Sequence, residues 1–163
     1  TEQNAMSSAG PSLVAAVMAT AVTFLRESHR LFRPFGLTGA QYNVLNVLES
    51  VPQGMSQREL SQVLVVDRSN VTGLLDRMEK AGWVKRADDP EDRRVYRVSL
   101  TTAGRRLWAK VHPRYIERVD EVTRGISSTQ MKTLIGLLKQ LERDAVRRRE
   151  NSDDVASARA DVL

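Results

Sequence analysis

Residues 88–100 read DDPEDRRVYRVSL, a stretch with seven charged side chains. Arg93 and Arg94 stand beside Asp88, Asp89, Glu91 and Asp92, and the run then alternates towards Val98 and Leu100. Guanidinium groups bind phosphates and carboxylates through paired N–H donors, and a neighbouring carboxylate holds such a group in one orientation. A second polar set comes earlier in the chain: Arg68, Ser69, Asn70, Thr72 and Arg77, with Asp76 and Lys80 among them. Arginine and asparagine can bond base edges, while serine and threonine hydroxyls reach phosphates. Both sets carry the chemistry of recognition rather than bond breaking.

Other chemistries lack their residues. The chain has no cysteine, which excludes a disulfide framework, a thiolate zinc site and peroxide sensing by thiol oxidation. His29 and His112 are its only histidines, too few for a histidine-rich metal site. There is no glycine-rich phosphate loop and no Gly-x-Ser-x-Gly elbow, and His112 has no nucleophile beside it in sequence. Neither an enzyme nor a cofactor is expected. With 163 residues, a net charge of +5 and 5% aromatic residues, the expectation is one mostly helical, soluble, cytoplasmic domain with room for a dimerisation extension. The apolar stretch Leu13–Leu25 contains Thr20 and Thr23 and reads as too short for a membrane span, with no secretory-signal pattern around it.

The elements that must position these groups are well punctuated. Thr38-x-x-Gln41, Ser56-x-x-Glu59 and Ser127-x-x-Gln130 are capping-box patterns, each ahead of apolar residues at helical spacing. Helices are expected over about 12–33, 39–50, 57–64, 68–80, 102 onward and 128–149. The third should bury Leu60, Val63 and Leu64; the fourth, Val71, Leu74, Leu75 and Met78. Pro113 is expected to kink the fifth. Two strands, 83–87 and 94–100, flank the charged segment. Residues 1–11 and 151–163 show no apolar period and are expected to be disordered.

The order α-α-α-α-β-β-α-α contains a helix-turn-helix, 56–80, followed directly by a β-hairpin. Asp67 is placed to cap the second of those helices. That is a winged helix, mainly α with a small β-wing. The second helix then presents the polar set to a major groove, and the wing carries Arg93 and Arg94 to a minor groove, with an acidic neighbour such as Asp92 steadying them. Bulk charge does not drive this reading: residues 54–100 hold nine basic and eight acidic groups. What matters is where the charges point. A winged helix that binds protein without reading DNA is the alternative, and salt dependence discriminates the two.

The run LTGAQYNVLNVLES, then MSQRELSQVLVVDRSNVTGLLDRMEKAGWVKRADDPEDRRVYRVSLTTAGRRL, resembles the MarR family of bacterial transcription regulators. Its most specific pieces are DRSNVTGLLDRMEKAGWV and DPEDRRVYRVSLTTAG, the latter holding the family's Asp-x-Arg wing motif as Asp92-Arg93-Arg94. The resemblance implies a homodimer on a pseudo-palindromic operator, with helix 68–80 in the major groove and wing 84–98 in the minor groove. Carried over by position, Arg94 would enter the minor groove and Asp92 would steady it, while Arg86 becomes a wing or phosphate contact. Gly73 stands where many relatives carry a larger, often basic residue, and Val65 where many have glycine. The regions implied are a dimerisation helix (12–36), a DNA-binding domain (37–100) and further dimerisation helices (101–150).

The first helix supports a partner chain on its own terms. Leu13, Val17, Phe24 and Leu31 lie on one stripe, yet Val14, Met18, Val22 and Leu25 are apolar as well. A helix apolar on two faces requires two neighbours. Family members often respond to small aromatic or phenolic acids. His29, Tyr42, Trp108, His112 and Tyr115 are the residues here that would suit such an effector, and release from the operator makes a repressor the expected sense.

Overall fold

The structure, a computed structural model, describes residues 2–64, 70–89 and 94–160, with side-chain positions between 9 and 147. The helices are α1 (Glu2–Phe32), α2 (Gly39–Glu49), α3 (Gln57–Val63), α4 (Val71–Lys80), α5 (Thr102–Thr123) and α6 (Ser128–Ala160). Strands β1 (Met55–Ser56), β2 (Val84–Asp88) and β3 (Tyr96–Leu100) form one antiparallel sheet in the order β1-β3-β2. The chain divides into two compact units, Thr1–Glu117 and Arg118–Leu163.

All three capping boxes form. Thr38 Oγ1 accepts the Gln41 N–H at 3.2 Å, and Gln41 Oε1 accepts the Thr38 N–H at 2.8 Å. The same exchange joins Ser56 with Glu59 and Ser127 with Gln130. Each box satisfies two amides that would otherwise stand open at a helix start. A positive φ of 74° at Gly82 ends α4: its N–H bonds the Glu79 carbonyl, and the Trp83 N–H bonds that of Met78.

The first unit has one apolar core. Val71, Leu74, Leu75 and Met78 of α4 enter it with Leu45 and Leu48 of α2, Leu60 of α3, Val84, Val98 and Leu100 of the sheet, and Val111 of α5. Phe32 joins α1 to this core by stacking on Tyr42 at 4.5 Å between ring centroids. α5 docks closely on the sheet at Gly104, where any Cβ would stand 2.0 Å from the Trp83 carbonyl oxygen. In the second unit α6 leaves Leu134, Ile135, Leu137 and Leu138 exposed.

Several expectations change. Val63, expected inside, is 51% exposed. α3 ends there and Leu64 adopts an extended backbone, φ −77° and ψ 134°, which turns Leu64 into the core in its place. The sheet has a third strand, β1, pairing Met55 with Val98 and Ser56 with Arg97. Pro113 stands inside α5 as expected, the helix running on past it to Thr123. α1 starts at Glu2, runs through Gly10-Pro11 and ends at Phe32, and α6 reaches Ala160, ten residues or so past the expected end. The apolar stretch of α1 is also longer than Leu13–Leu25: Ala9–Phe35 is long and apolar enough by composition to cross a membrane. Arg26, Glu27, His29 and Arg30 fall inside it, where hydrocarbon would penalise them, and Phe32 at its end is buried in the protein core.

Candidate nucleic-acid interface

α4 sorts its residues by face. With its apolar stripe inside, Asn70, Thr72, Asp76, Arg77 and Lys80 are exposed. The Thr72 hydroxyl accepts the Gln57 amide at 2.6 Å, which ties the outward face of α4 to the first turn of α3. Gly73 lies under Arg77: a Cβ there would meet the Arg77 Nη1 at 3.4 Å and the Asn70 Oδ1 at 4.0 Å. The small residue leaves the Arg77 guanidinium room to lie along the helix. Arg68, Ser69, Asp67 and Val65 fall outside the described residues, as do Glu91, Asp92 and Arg93 at the wing tip.

Arg94 is exposed where the return limb of the wing begins. Behind it the wing is braced on both sides. Arg97 Nε donates to Asp89 Oδ2 at 2.6 Å, and Arg97 Nη1 donates to the Gly54 carbonyl at 3.0 Å. Asp89, one of the carboxylates expected near the tip arginines, is thus the buried partner of Arg97, at 8% exposure. On the other side Arg86 is held by α4. Its guanidinium donates to Asp76 at 2.6 Å and to Glu79 at 2.5 Å, and its backbone N–H donates to Glu79 Oε1 at 3.0 Å. Burial alone would lower the Arg86 pKa, but its hydrogen bonds to the two carboxylates outweigh this and raise it. The sequence singles out neither Gln57, Arg97 nor Glu79 as a site residue, and gives Asp76 only as a neighbour of the polar set on α4. Only the hairpin alternation hinted at Arg97, and nothing in sequence hinted at Gln57.

The five effector candidates separate. Tyr42, Trp108, His112 and Tyr115 form one cluster: the Tyr42 hydroxyl bonds His112 Nδ1 at 2.9 Å, His112 stacks on Trp108, and Tyr115 packs against Tyr42. Trp108 Nε1 also donates to Asn46 at 3.1 Å. Burial, then the neighbouring Tyr115, push the Tyr42 pKa well above the ordinary phenol value. His29 stands apart on α1, exposed, beside an open concavity lined with Val22, Leu25, Arg26 and Arg30. Among the described residues no group of three or more His, Cys, Asp or Glu side chains could hold a metal ion.

Known proteins match this chain in sequence and in fold. The model of the MarR family matches residues 35–95. The chain is 33% identical over 109 residues to the multiple antibiotic resistance protein MarR of Escherichia coli, covering 66% of this chain and 75% of that one. It is 44% identical over 75 residues to the transcriptional activatory protein BadR of Rhodopseudomonas palustris, covering 45% and 43%. A crystal structure of an Escherichia coli MarR variant complexed with operator DNA superposes with a TM-score of 0.63 at 29% identity, covering 76% of this chain and 92% of that chain. Three curated relatives are matched over only 43% to 64% of their length, under two thirds. The family nevertheless follows from the extent of the Escherichia coli match: this chain belongs to the MarR family.

Proposed function

We propose that the chain is a sequence-specific transcription regulator that binds double-stranded DNA as a homodimer. The observation that carries this is the pairing of two readers on one scaffold. The exposed face of α4 bears Asn70, Thr72 and Arg77, and the wing beside it bears Arg94. One suits base edges in a major groove, and the other suits the narrow, negative minor groove alongside. Arg68, Ser69, Asp92 and Arg93 are candidates from the sequence alone and lie outside the described residues. Residues 37–100 form the DNA-binding part, and 12–36 with 101–150 the dimerisation helices. Exposed Leu13, Met18, Phe24 and Leu25 on α1 support that assignment, as do the leucines of α6, because such apolar area calls for a partner. A cytoplasmic location follows from the role.

The expected sense is repression, relieved when a small aromatic or phenolic acid binds near the dimerisation helices. Arg26 and Arg30 offer cationic groups beside His29, Val22 and Leu25 for such a ligand. The packed cluster of Tyr42, Trp108, His112 and Tyr115 would then transmit its effect or open to admit it.

The test is fluorescence anisotropy against a duplex that the protein selects from genomic fragments, with a scrambled competitor and a salt titration. Binding should survive the competitor and weaken steeply with salt, as released counterions require. Arg94→Ala should cost about 1–3 kcal/mol of operator binding and leave the dimer intact. Equal, weak binding to both duplexes would refute a sequence reader, and unchanged affinity in Arg94→Ala would refute the wing's role.

A further inference from the structure

Arg86 has the sequence position of a DNA contact, yet its guanidinium already binds two carboxylates within the protein. Nη2 bonds Asp76 Oδ1 at 2.6 Å, Nη1 bonds Glu79 Oε2 at 2.5 Å, and the residue's own N–H takes the other Glu79 oxygen at 3.0 Å. The Arg86 side chain is 22% exposed, against 58% and 39% for its two partners. Those carboxylates belong to α4, the helix proposed to enter the major groove, and Asp76 lies next in sequence to Arg77. DNA carries about one negative charge per 1.7 Å of its axis, so two free carboxylates on that helix would oppose binding. A guanidinium shared between them offsets one of the two negative charges and also joins the second half of α4 to β2.

We propose that Arg86 is a positioning residue: it offsets half the negative charge of the Asp76–Glu79 pair and fixes α4 to the wing, so that both readers approach DNA as one rigid piece, and it makes no DNA contact itself. This rests on the DNA-binding role proposed above. It differs from a phosphate contact in three measurable ways. Its effect passes through two carboxylates and vanishes when they are neutral. It leaves the number of neutralised phosphates unchanged. It is present in the free protein.

The experiment compares wild type, Arg86→Met, the double variant Asp76→Asn/Glu79→Gln and the triple variant. Each is titrated with the wild-type-selected duplex at a temperature where circular dichroism finds all four folded. Arg86→Met should weaken binding about tenfold or more in the wild-type background and less than about threefold in the double background, since members of one ion-pair network couple. The slope of log affinity against log salt should stay the same. Arg86→Lys, whose single ammonium can serve one carboxylate well, should fall between wild type and Arg86→Met. Without DNA, hydrogen exchange of the amides in the second half of α4 should quicken in Arg86→Met. Equal losses in both backgrounds, with a salt slope shallower by about one, would make Arg86 a phosphate contact and overturn the proposal. Unchanged exchange in the free protein would overturn it too. If the wild type selects no duplex, it is the proposed function that fails, and the exchange measurement still decides whether the brace exists.

Discussion

Replacing Gly104 with alanine sets two effects of opposite sign against each other. Helix propensity favours alanine over glycine by about 0.5–1 kcal/mol. The packing opposes it, because the new methyl would lie 2.0 Å from the Trp83 carbonyl oxygen, 2.9 Å from its carbon and 3.2 Å from its Cα. These are backbone atoms and cannot swing aside. Carbon contacts settle near 3.5–4.0 Å, so the start of α5 and the entry to β2 must part by roughly 1.5 Å. Such overpacking costs about 1–3 kcal/mol. The shift also strains the bonds that seat α5: the Thr101 N–H to the Trp83 carbonyl at 3.0 Å, and the Thr101 hydroxyl to the Gly82 carbonyl at 2.6 Å. Each is worth about 1 kcal/mol. The net expectation is a loss of about 2–4 kcal/mol, or a Tm lower by about 5–15 °C at this chain length. Thermal unfolding followed by circular dichroism measures it, at matched protein concentration because a dimer's Tm depends on concentration. Gly136→Ala on α6 is the control, since nothing lies within 4 Å of its Cβ position. A Gly104→Ala variant with unchanged or higher Tm would refute the close approach and leave propensity as the stronger effect.

Two further expectations concern pH. The Glu59 carboxyl is held below its ordinary value by the backbone N–H of Ser56, then by the Ser56 hydroxyl. Its capping box therefore contributes stability that is full above the unfolded carboxyl range and fades as pH falls through the lower folded value. Acid titration of unfolding should show this fade in the wild type and not in Glu59→Gln, which keeps an acceptor; an identical acid limb in both would refute it. Tyr42 is shifted the other way, by burial and then Tyr115. Its contribution is full below the ordinary phenol pKa and is lost as pH rises towards the higher folded value. Tyr42→Phe should cost about 0.5–1.5 kcal/mol at neutral pH through the lost bond to His112, and should also flatten the alkaline limb. A steep alkaline limb in that variant would assign the loss to another group.

Features fixed by neighbours in sequence were legible. Each capping box joins residues three apart, and the apolar stripe of α4 needs only one helical turn to declare itself. The wing was readable because its strands alternate about a charged turn. Features set by distant backbone were not. β1 has two residues and no period of its own; it exists because Gly54, with φ of 78°, lets the chain lie against Val98, whose carbonyl oxygen would be 2.6 Å from a Cβ there. Val63 was misplaced because the helix stops one residue before the core is filled, and the extended turn at Leu64 shows only in three dimensions. The hold of α4 on Arg86 is not legible in sequence, because its partners lie seven and ten residues back, on another element. The start of α1 was hidden by Gly10-Pro11, which locally reads as a stop.

The small sheet has one more consequence. β3 is covered on both sides, so β2 is a terminal strand whose outward amides are available to any extended peptide. At Arg86 that vacancy is closed by a side chain: Glu79 takes the outward N–H, and the ion pair lies across the opening. Exposed Lys85 and Asp88 add charge on either side. Growth of the sheet by strand addition, from a second copy or an unfolded segment, is therefore blocked where the wing meets the helix. The proposed self-association through the apolar helices therefore does not compete with strand addition at this point of β2.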